Sequence, residues 1–152
     1  MIASVLGLLG SARAALGDSE GAASFFAEAL EIQRRRLGPE HPITALTLSR
    51  AAAVGIATDP EGAYESASKA LEVLSRERGG SWQEAEATGH LGAALVALGR
   101  YAEAERHLQT AYERLKALRG ESIVYTRTAR RRLAELHEQW GSTGPKREKD
   151  DP

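Results

Sequence analysis

The sequence contains no cysteine. That excludes a disulfide framework, a thiolate zinc site and a cysteine nucleophile. It fits a reducing compartment, so a cytoplasmic location is expected. Aromatic residues are few, with two Trp, four Tyr and two Phe. They do not interleave with basic residues as in proteins that grip single strands, and nucleic acid is not an expected partner. Neither sign of charge dominates: 20 Lys and Arg stand against 21 Asp and Glu, for a net charge of −1. Such a balance supplies no general attraction to nucleic acid or to an anionic membrane. No apolar run approaches the ~20 residues of a membrane span. The apolar start from Met1 to Leu9 is interrupted by Gly7, and no basic residue precedes it, so it lacks the charged region of a secretory signal. Membrane insertion is not expected. With five prolines in 152 residues, long stretches rich in Ala, Leu, Glu and Arg are free to form helix. The length suits one domain with a buried core.

The strongest pattern is a repeat with a spacing of 41 residues. Leu9-Gly10, Leu16-Gly17, Gly21-Ala22, Phe26 and Ala29-Leu30 form a first set. Leu91-Gly92, Leu98-Gly99, Glu103-Ala104, Leu108 and Ala111-Tyr112 match it two units on, and Ala51, Ala57, Gly62-Ala63, Ala67 and Ala70-Leu71 lie between. Each unit has two amphipathic stretches separated by a short break: Gly17-Asp18-Ser19, Thr58-Asp59-Pro60 and Gly99-Arg100-Tyr101. Glycine past a helix end stops it, Asp59 is the expected N-cap, and Pro60 suits a first turn. Gly38, Gly79 and Gly120 close the units. The small residues Gly10, Ala51 and Gly92 sit where the two helices of a pair would approach closely, and Phe26, Ala67 and Leu108 fall on the same face of each second helix as the alanines that flank them. This predicts helices at about 2–16, 20–36, 43–57, 60–77, 82–98, 101–118 and 122–139. The units run over about 1–42, 43–83 and 84–121, with a capping helix at 122–140. The polar stretch 141–152 is expected to be a disordered charged tail.

No residue pattern points to chemistry. His41, His90, His107 and His137 lack metal-ligand spacing, so no metal is expected. The carboxylates Glu84/Glu86 and Glu103/Glu105 lie two apart on different helical faces and cannot act as an acid/base pair. The glycines in Gly7-Leu8-Leu9-Gly10 and Gly89-His90-Leu91-Gly92 belong to the repeat, and no phosphate-loop lysine follows them. No catalytic residue and no cofactor are assigned.

Residues 91–113, LGAALVALGRYAEAERHLQTAYE, resemble a tetratricopeptide repeat. The phrase LGPEHPITA at 37–45 is similar to the turn of the longer-unit variety found in kinesin light chains and many bacterial proteins. The second unit departs from the pattern at Arg50, where leucine is usual, and at Ala67, where a large apolar residue is usual. Residues 104–141 also resemble the repeat region that follows the kinase domain in certain bacterial serine/threonine protein kinases. That makes a regulatory or scaffolding fragment of such a protein an alternative reading.

The resemblance implies an all-α fold, a right-handed superhelical solenoid of three helix-turn-helix repeats plus a C-terminal capping helix. It implies a protein-interaction module whose concave groove binds a peptide or helix of a partner protein. By resemblance the groove residues are Ser4, Gly7, Leu8 and Ser11; Ala45, Leu48, Ser49 and Ala52; Glu86, Gly89, His90 and Ala93; and Arg127, Arg130 and Arg131. Family members that grip a terminal carboxylate with Lys, Arg and Asn have no match in Gly7, Ser11, Ser49, Gly89 and Ala93. An acidic or phosphorylated segment near Arg127–Arg131 is the expected ligand. Ile2, Val5, Leu6, Leu8 and Leu9 cover more than one face of the first helix. That excess predicts either upstream repeats or self-association through this helix.

Overall fold

The computed structural model describes residues 1–143. Seven helices and no strand occur among them: α1 (Ile2–Ala15), α2 (Ser19–Leu37), α3 (Pro42–Gly55), α4 (Pro60–Arg78), α5 (Trp82–Ala97), α6 (Tyr101–Arg119) and α7 (Val124–Thr143). α7 continues through Gly141, where the sequence predicts a tail to begin; residues 144–152 of that stretch lie outside the described residues. α1/α2, α3/α4 and α5/α6 pack as hairpins, and each hairpin packs on the next through α2/α3, α4/α5 and α6/α7. The result is an all-α helical-repeat solenoid.

Local chemistry sets each hairpin. Asp18 and Asp59 cap α2 and α4 by accepting the backbone N–H of Gly21 at 2.9 Å and Gly62 at 3.0 Å. A Cβ on either glycine would collide with the capping carboxylate. The third repeat solves the same turn differently: Arg100 stands at the cap position and donates to both oxygens of Glu103, at 2.8 and 2.7 Å. Between repeats, the residue with positive φ after α4 is Gly80 at +78°, not Gly79. Gly79 sits at φ −54° as the C-cap of α4, as Gly38 and Gly120 are the C-caps of α2 and α6.

The small residues predicted at the hairpin cores are buried: Ala22, Ala29, Ala67, Ala70, Ala104 and Ala111 are all 0% exposed. Alanine there lets the helix axes approach closely. Phe26 packs over Gly10 and Leu108 over Gly92, so close that a Cβ on either glycine would stand 2.8 Å from the opposing side chain. At the same register the second repeat carries Ala51 and Ala67. Leu74, Leu95, Leu115 and Leu136 are also fully buried, each worth about 2 kcal/mol of transfer free energy.

One core position breaks the repeat. Gln33 occupies the register of Leu74 and Leu115, is 3% exposed, and its Oε1 has no hydrogen-bond partner. Thr44 Oγ1 is likewise unpartnered. A buried unpaired polar atom costs about 1–3 kcal/mol. Gln33→Leu is therefore expected to raise stability by about 1 kcal/mol. Urea unfolding monitored by circular dichroism checks it; a lowered midpoint would show that Gln33 is satisfied in solution.

α1 differs from the other first helices. Ile2, Val5, Leu8 and Leu9 are 69, 50, 69 and 42% exposed. Their counterparts 82 residues on, Glu84, Ala87, His90 and Leu91, are at most 9% exposed, and Ala87 packs against Ala70 and Leu74 of α4. At the other end α7 closes the third repeat with Ala129, Leu133, Leu136 and Trp140 turned inward. Trp140 meets Tyr101 at 6.4 Å, and Tyr125 stacks on Trp82 at 5.5 Å.

Candidate functional site

One side of the solenoid carries a cleft of about 860 Å³. Its walls come mainly from the first helix of each hairpin and from α7: Ser11 and Ala14 of α1, Arg50 and Ala53 of α3, Glu86, Gly89, His90 and Ala93 of α5, and Tyr125, Arg131 and Arg132 of α7. Most of the wall is small or apolar. The polar groups concentrate where α3, α5 and α7 converge.

Arg50 donates Nε and Nη2 to the two oxygens of Glu86, each at 3.0 Å. Nη2 also donates to the Tyr125 hydroxyl at 3.2 Å. The side chains are 18% and 7% exposed, so the pair is largely out of water. Burial alone would lower the Arg50 pKa, but Glu86 and Tyr125 hold it above the ordinary arginine value. Beneath this pair, Ser49 Oγ lies 2.7 Å from His90 Nδ1. Glu86 stands 4.0 Å from His90 Nε2. That carboxylate favours the tautomer with its proton on Nε2, in which Ser49 donates to Nδ1. Ser49 is 0% exposed, so no substrate reaches its hydroxyl; the Ser–His pair is packing, not a nucleophile and base.

Burial, with Arg132 and Arg50 nearby, holds the His90 pKa well below its ordinary value. The sign follows directly. Above pH ~6.5 the histidine is neutral folded or unfolded and stability is indifferent to it. Below that the unfolded chain binds a proton that the folded chain refuses, and stability falls by up to ~1.4 kcal/mol per pH unit. Between pH 7.5 and 5.0 the native protein should lose at least ~1 kcal/mol more than His90→Asn, measured from urea midpoints. Equal losses would mean that His90 protonates freely in the folded state.

Arg132 is half-buried and lines the same cleft. Burial and neighbouring Arg131 push its pKa down to about 10. Glu86 and Glu135 counter this from a distance. Among the described residues, no carboxylate comes within ion-pairing distance of it. A Cβ on Gly89 would stand 3.8 Å from its Nη1, so the guanidinium lies close against the α5 backbone. Arg131 lines the cleft too, with Glu135 at 3.5 Å.

The expected groove residues divide. Ser11, Glu86, Gly89, His90, Ala93 and Arg131 line the cleft. The others lie elsewhere in the structure. Leu48 packs with Ala45, Ala70, Leu74 and Ala87 and lines a separate hollow between α2 and α4. Ser49 lies under the cleft floor, and Ala52 is in the core around Leu91 and Leu95. Ser4, Gly7 and Leu8 are not among the cleft walls, and Leu8 faces solvent on α1. Arg127 is exposed away from the cleft, while Arg130 turns to Glu121 at 3.3 Å, beside Lys116 and Tyr112. The guanidinium groups that line the cleft are those of Arg50, Arg131 and Arg132. The carboxylates Glu84 and Glu86 separate as their spacing requires: Glu84 accepts from Ser75, Arg114 and the Gly80 N–H at the repeat boundary.

Arg50 and Arg132 share one register, with Leu9 and Leu91 as their counterparts. The sequence therefore carried a signal: arginine twice at a position where the repeat places leucine.

The family profile described as tetratricopeptide repeat matches residues 1–74 and 56–117. No curated protein matches the chain. Among solved structures, BtubC (BKLC) from P. vanneervenii is similar over 91% of this chain, with a TM-score of 0.68 and 20% identity. The match spans 56% of the BtubC chain. The Sgt2 TPR domain from Aspergillus fumigatus is similar over 99% of this chain and 87% of its own, with a TM-score of 0.59 and 22% identity. At those identities the likeness is one of fold. With the profile spanning all three hairpins, the chain belongs to the tetratricopeptide repeat family.

Proposed function

We propose that the chain is a protein-interaction module that receives a peptide or helix of a partner along the cleft, with an acidic or phosphorylated residue toward α7. Membership of the repeat family supports protein binding in general terms. The observation that carries the finer reading is the cleft itself, about 860 Å³ with small and apolar walls and guanidinium groups at one end. Small walls admit a chain or helix, and the basic end orients it. The chain is read as a binding protein and not as an enzyme, because His90 is tied to a buried Ser49 and Glu86 to Arg50.

A second reading, self-association through α1, is favoured by the exposure of Ile2, Val5, Leu8 and Leu9. Affinity capture separates the two. Ala93→Trp fills the cleft from α5; Val5→Asp with Leu8→Asp disrupts α1. Both variants are first confirmed folded by circular dichroism. Cleft binding predicts a partner kept by the native chain and the α1 variant and lost with Ala93→Trp. Partner binding unaffected by Ala93→Trp sinks the cleft reading. A mass that rises with concentration in sedimentation, and falls to the monomer in the α1 variant, establishes the second.

A further inference from the structure

The exposed apolar residues of α1 fall into one stripe. Val5 and Ala12 run down its middle, Ile2, Leu9 and Leu16 down one side, and Leu8 and Ala15 down the other. Each row repeats at seven residues, the spacing that keeps side chains on the seam of a paired helix. The stripe is separate from the side that meets α2, where Leu6 and Gly10 are buried. No polar residue interrupts it, and Leu16 at its end is 82% exposed. With Met1, its large side chains expose roughly 700 Å², more than the ~600 Å² patch of a typical monomer and near the ~800 Å² each partner brings to a stable interface.

We infer that this stripe is the seam of a symmetric dimer, in which α1 of one copy packs antiparallel on α1 of a second and the assembly closes at two chains. The stripe complements itself in that direction. With the two-fold axis between Leu8 and Leu9, Val5 faces Ala12 of the other copy, Ile2 faces Ala15, Met1 faces Leu16 and Leu8 faces Leu9. Every residue meets an apolar one, and at two levels a large side chain meets a small one. Helix ends set the direction. α1 has no side-chain cap and no acid in its first turn. A parallel pair would place two uncompensated positive helix ends together, whereas an antiparallel pair sets each beside the negative end of the other. A preceding hairpin is a poorer match. The counterparts of Leu8 and Leu9 are Ser49 and Arg50 in α3, then His90 and Leu91 in α5, and polar bonds from these tie hairpin to hairpin. α1 offers none. Head-to-tail stacking is a poorer match too, because the open side of α7 presents Arg127, Arg130, Arg131 and Glu135. The best complement of the stripe is its own copy, and a two-fold contact uses it up. This deepens the second reading above, on which it rests, by giving the contact a direction and a limit.

The test uses the whole chain. Sedimentation equilibrium over a concentration series should give a mass that rises and levels at two chains. The sequence has no cysteine, so single cysteines on the stripe report the contact as disulfides, and at exposed positions they leave the core intact. Leu9→Cys, beside the two-fold axis, should cross-link to its own copy under mild oxidation about tenfold faster than Ile2→Cys or Val5→Cys. At ~1.5 Å per residue the two copies of Val5 stand about 10 Å apart along the seam, beyond the ~7 Å that a disulfide spans, and those of Ile2 stand farther still. An equal mixture of Val5→Cys and Ala12→Cys should cross-link, although neither does so alone. Rapid self-linking of Ile2→Cys and Val5→Cys would show a parallel pair, and a mass that climbs past two chains would show an open stack. Either result, or a native dimer in which Leu9→Cys stays unlinked, overturns the inference and leaves self-association through α1 to be judged by Val5→Asp with Leu8→Asp. A native chain that is monomeric at every concentration, or a dimer that this α1 variant does not dissociate, overturns both, and the stripe then falls to a preceding hairpin or another protein. The cleft reading is decided separately by Ala93→Trp.

Discussion

Arg50→Met is expected to lower stability by about 3–5 kcal/mol, because it leaves the Glu86 carboxylate buried without its partner. The pair is 18% and 7% exposed and joined at two points, so the loss is not the small one of a surface bridge. Arg50→Met with Glu86→Met should restore most of the loss, since two apolar side chains of similar size remove both desolvated charges. Urea unfolding of the two single variants and the double variant gives the coupling. A cost below about 1 kcal/mol for Arg50→Met would mean that water reaches the pair and the cleft wall is looser than described.

The second large effect concerns the hairpin cores. Leu108→Ala is expected to cost about 3 kcal/mol, as a fully buried leucine is replaced by a partly collapsed cavity. Gly92→Ala in the native background should cost about 1–2 kcal/mol. Its Cβ would stand 2.8 Å from Leu108 Cγ and 3.3 Å from His107 Cβ, and neither is the end of a flexible side chain. That crowding outweighs the ~1 kcal/mol that alanine gains over glycine inside a helix. In the Leu108→Ala background the same change should instead stabilise by about 1 kcal/mol, since the methyl enters vacated space. The double variant carries alanine at both positions, as the second repeat does at Ala51 and Ala67. The reversal of sign is the prediction; thermal unfolding that shows one sign in both backgrounds would sever Gly92 from Leu108.

That pairing shows why so much of the fold is legible in the sequence. Matched small and large residues report a contact that recurs in the first and third hairpins, Gly10 with Phe26 and Gly92 with Leu108, so register alone locates it. At Ala67 the second repeat departs from the large residue of the other two, and at Ala51 it carries alanine where they carry glycine. Site placement is harder for a physical reason. A first helix in this stack is enclosed by its own hairpin partner, by the preceding second helix and by neighbouring first helices. Only a narrow strip of it reaches the cleft. Periodicity tells which residues share a strip, not which strip is the open one. Leu48 and Ser49 fall just to either side of it. The resemblance places Arg127 and Arg130 toward the groove, whereas both are exposed on α7 and neither lines the cleft. Arg50 was visible as an anomaly, but its meaning depends on Glu86, 36 residues away, and no spacing rule connects those two.

The bond between Ser49 and His90 joins residues separated by 41 positions, which is one full repeat. The same register position is thus bonded to its own copy in the next hairpin, and Arg50 reaches Glu86 across the same boundary. Backbone geometry would let any hairpin follow any other. These side chains do not, because a serine meets a histidine and an arginine meets a glutamate only when the second hairpin precedes the third. The chain therefore records the order of its own units in polar pairs, and a shuffled array of the same three hairpins would stack but would leave a buried glutamate facing no cation.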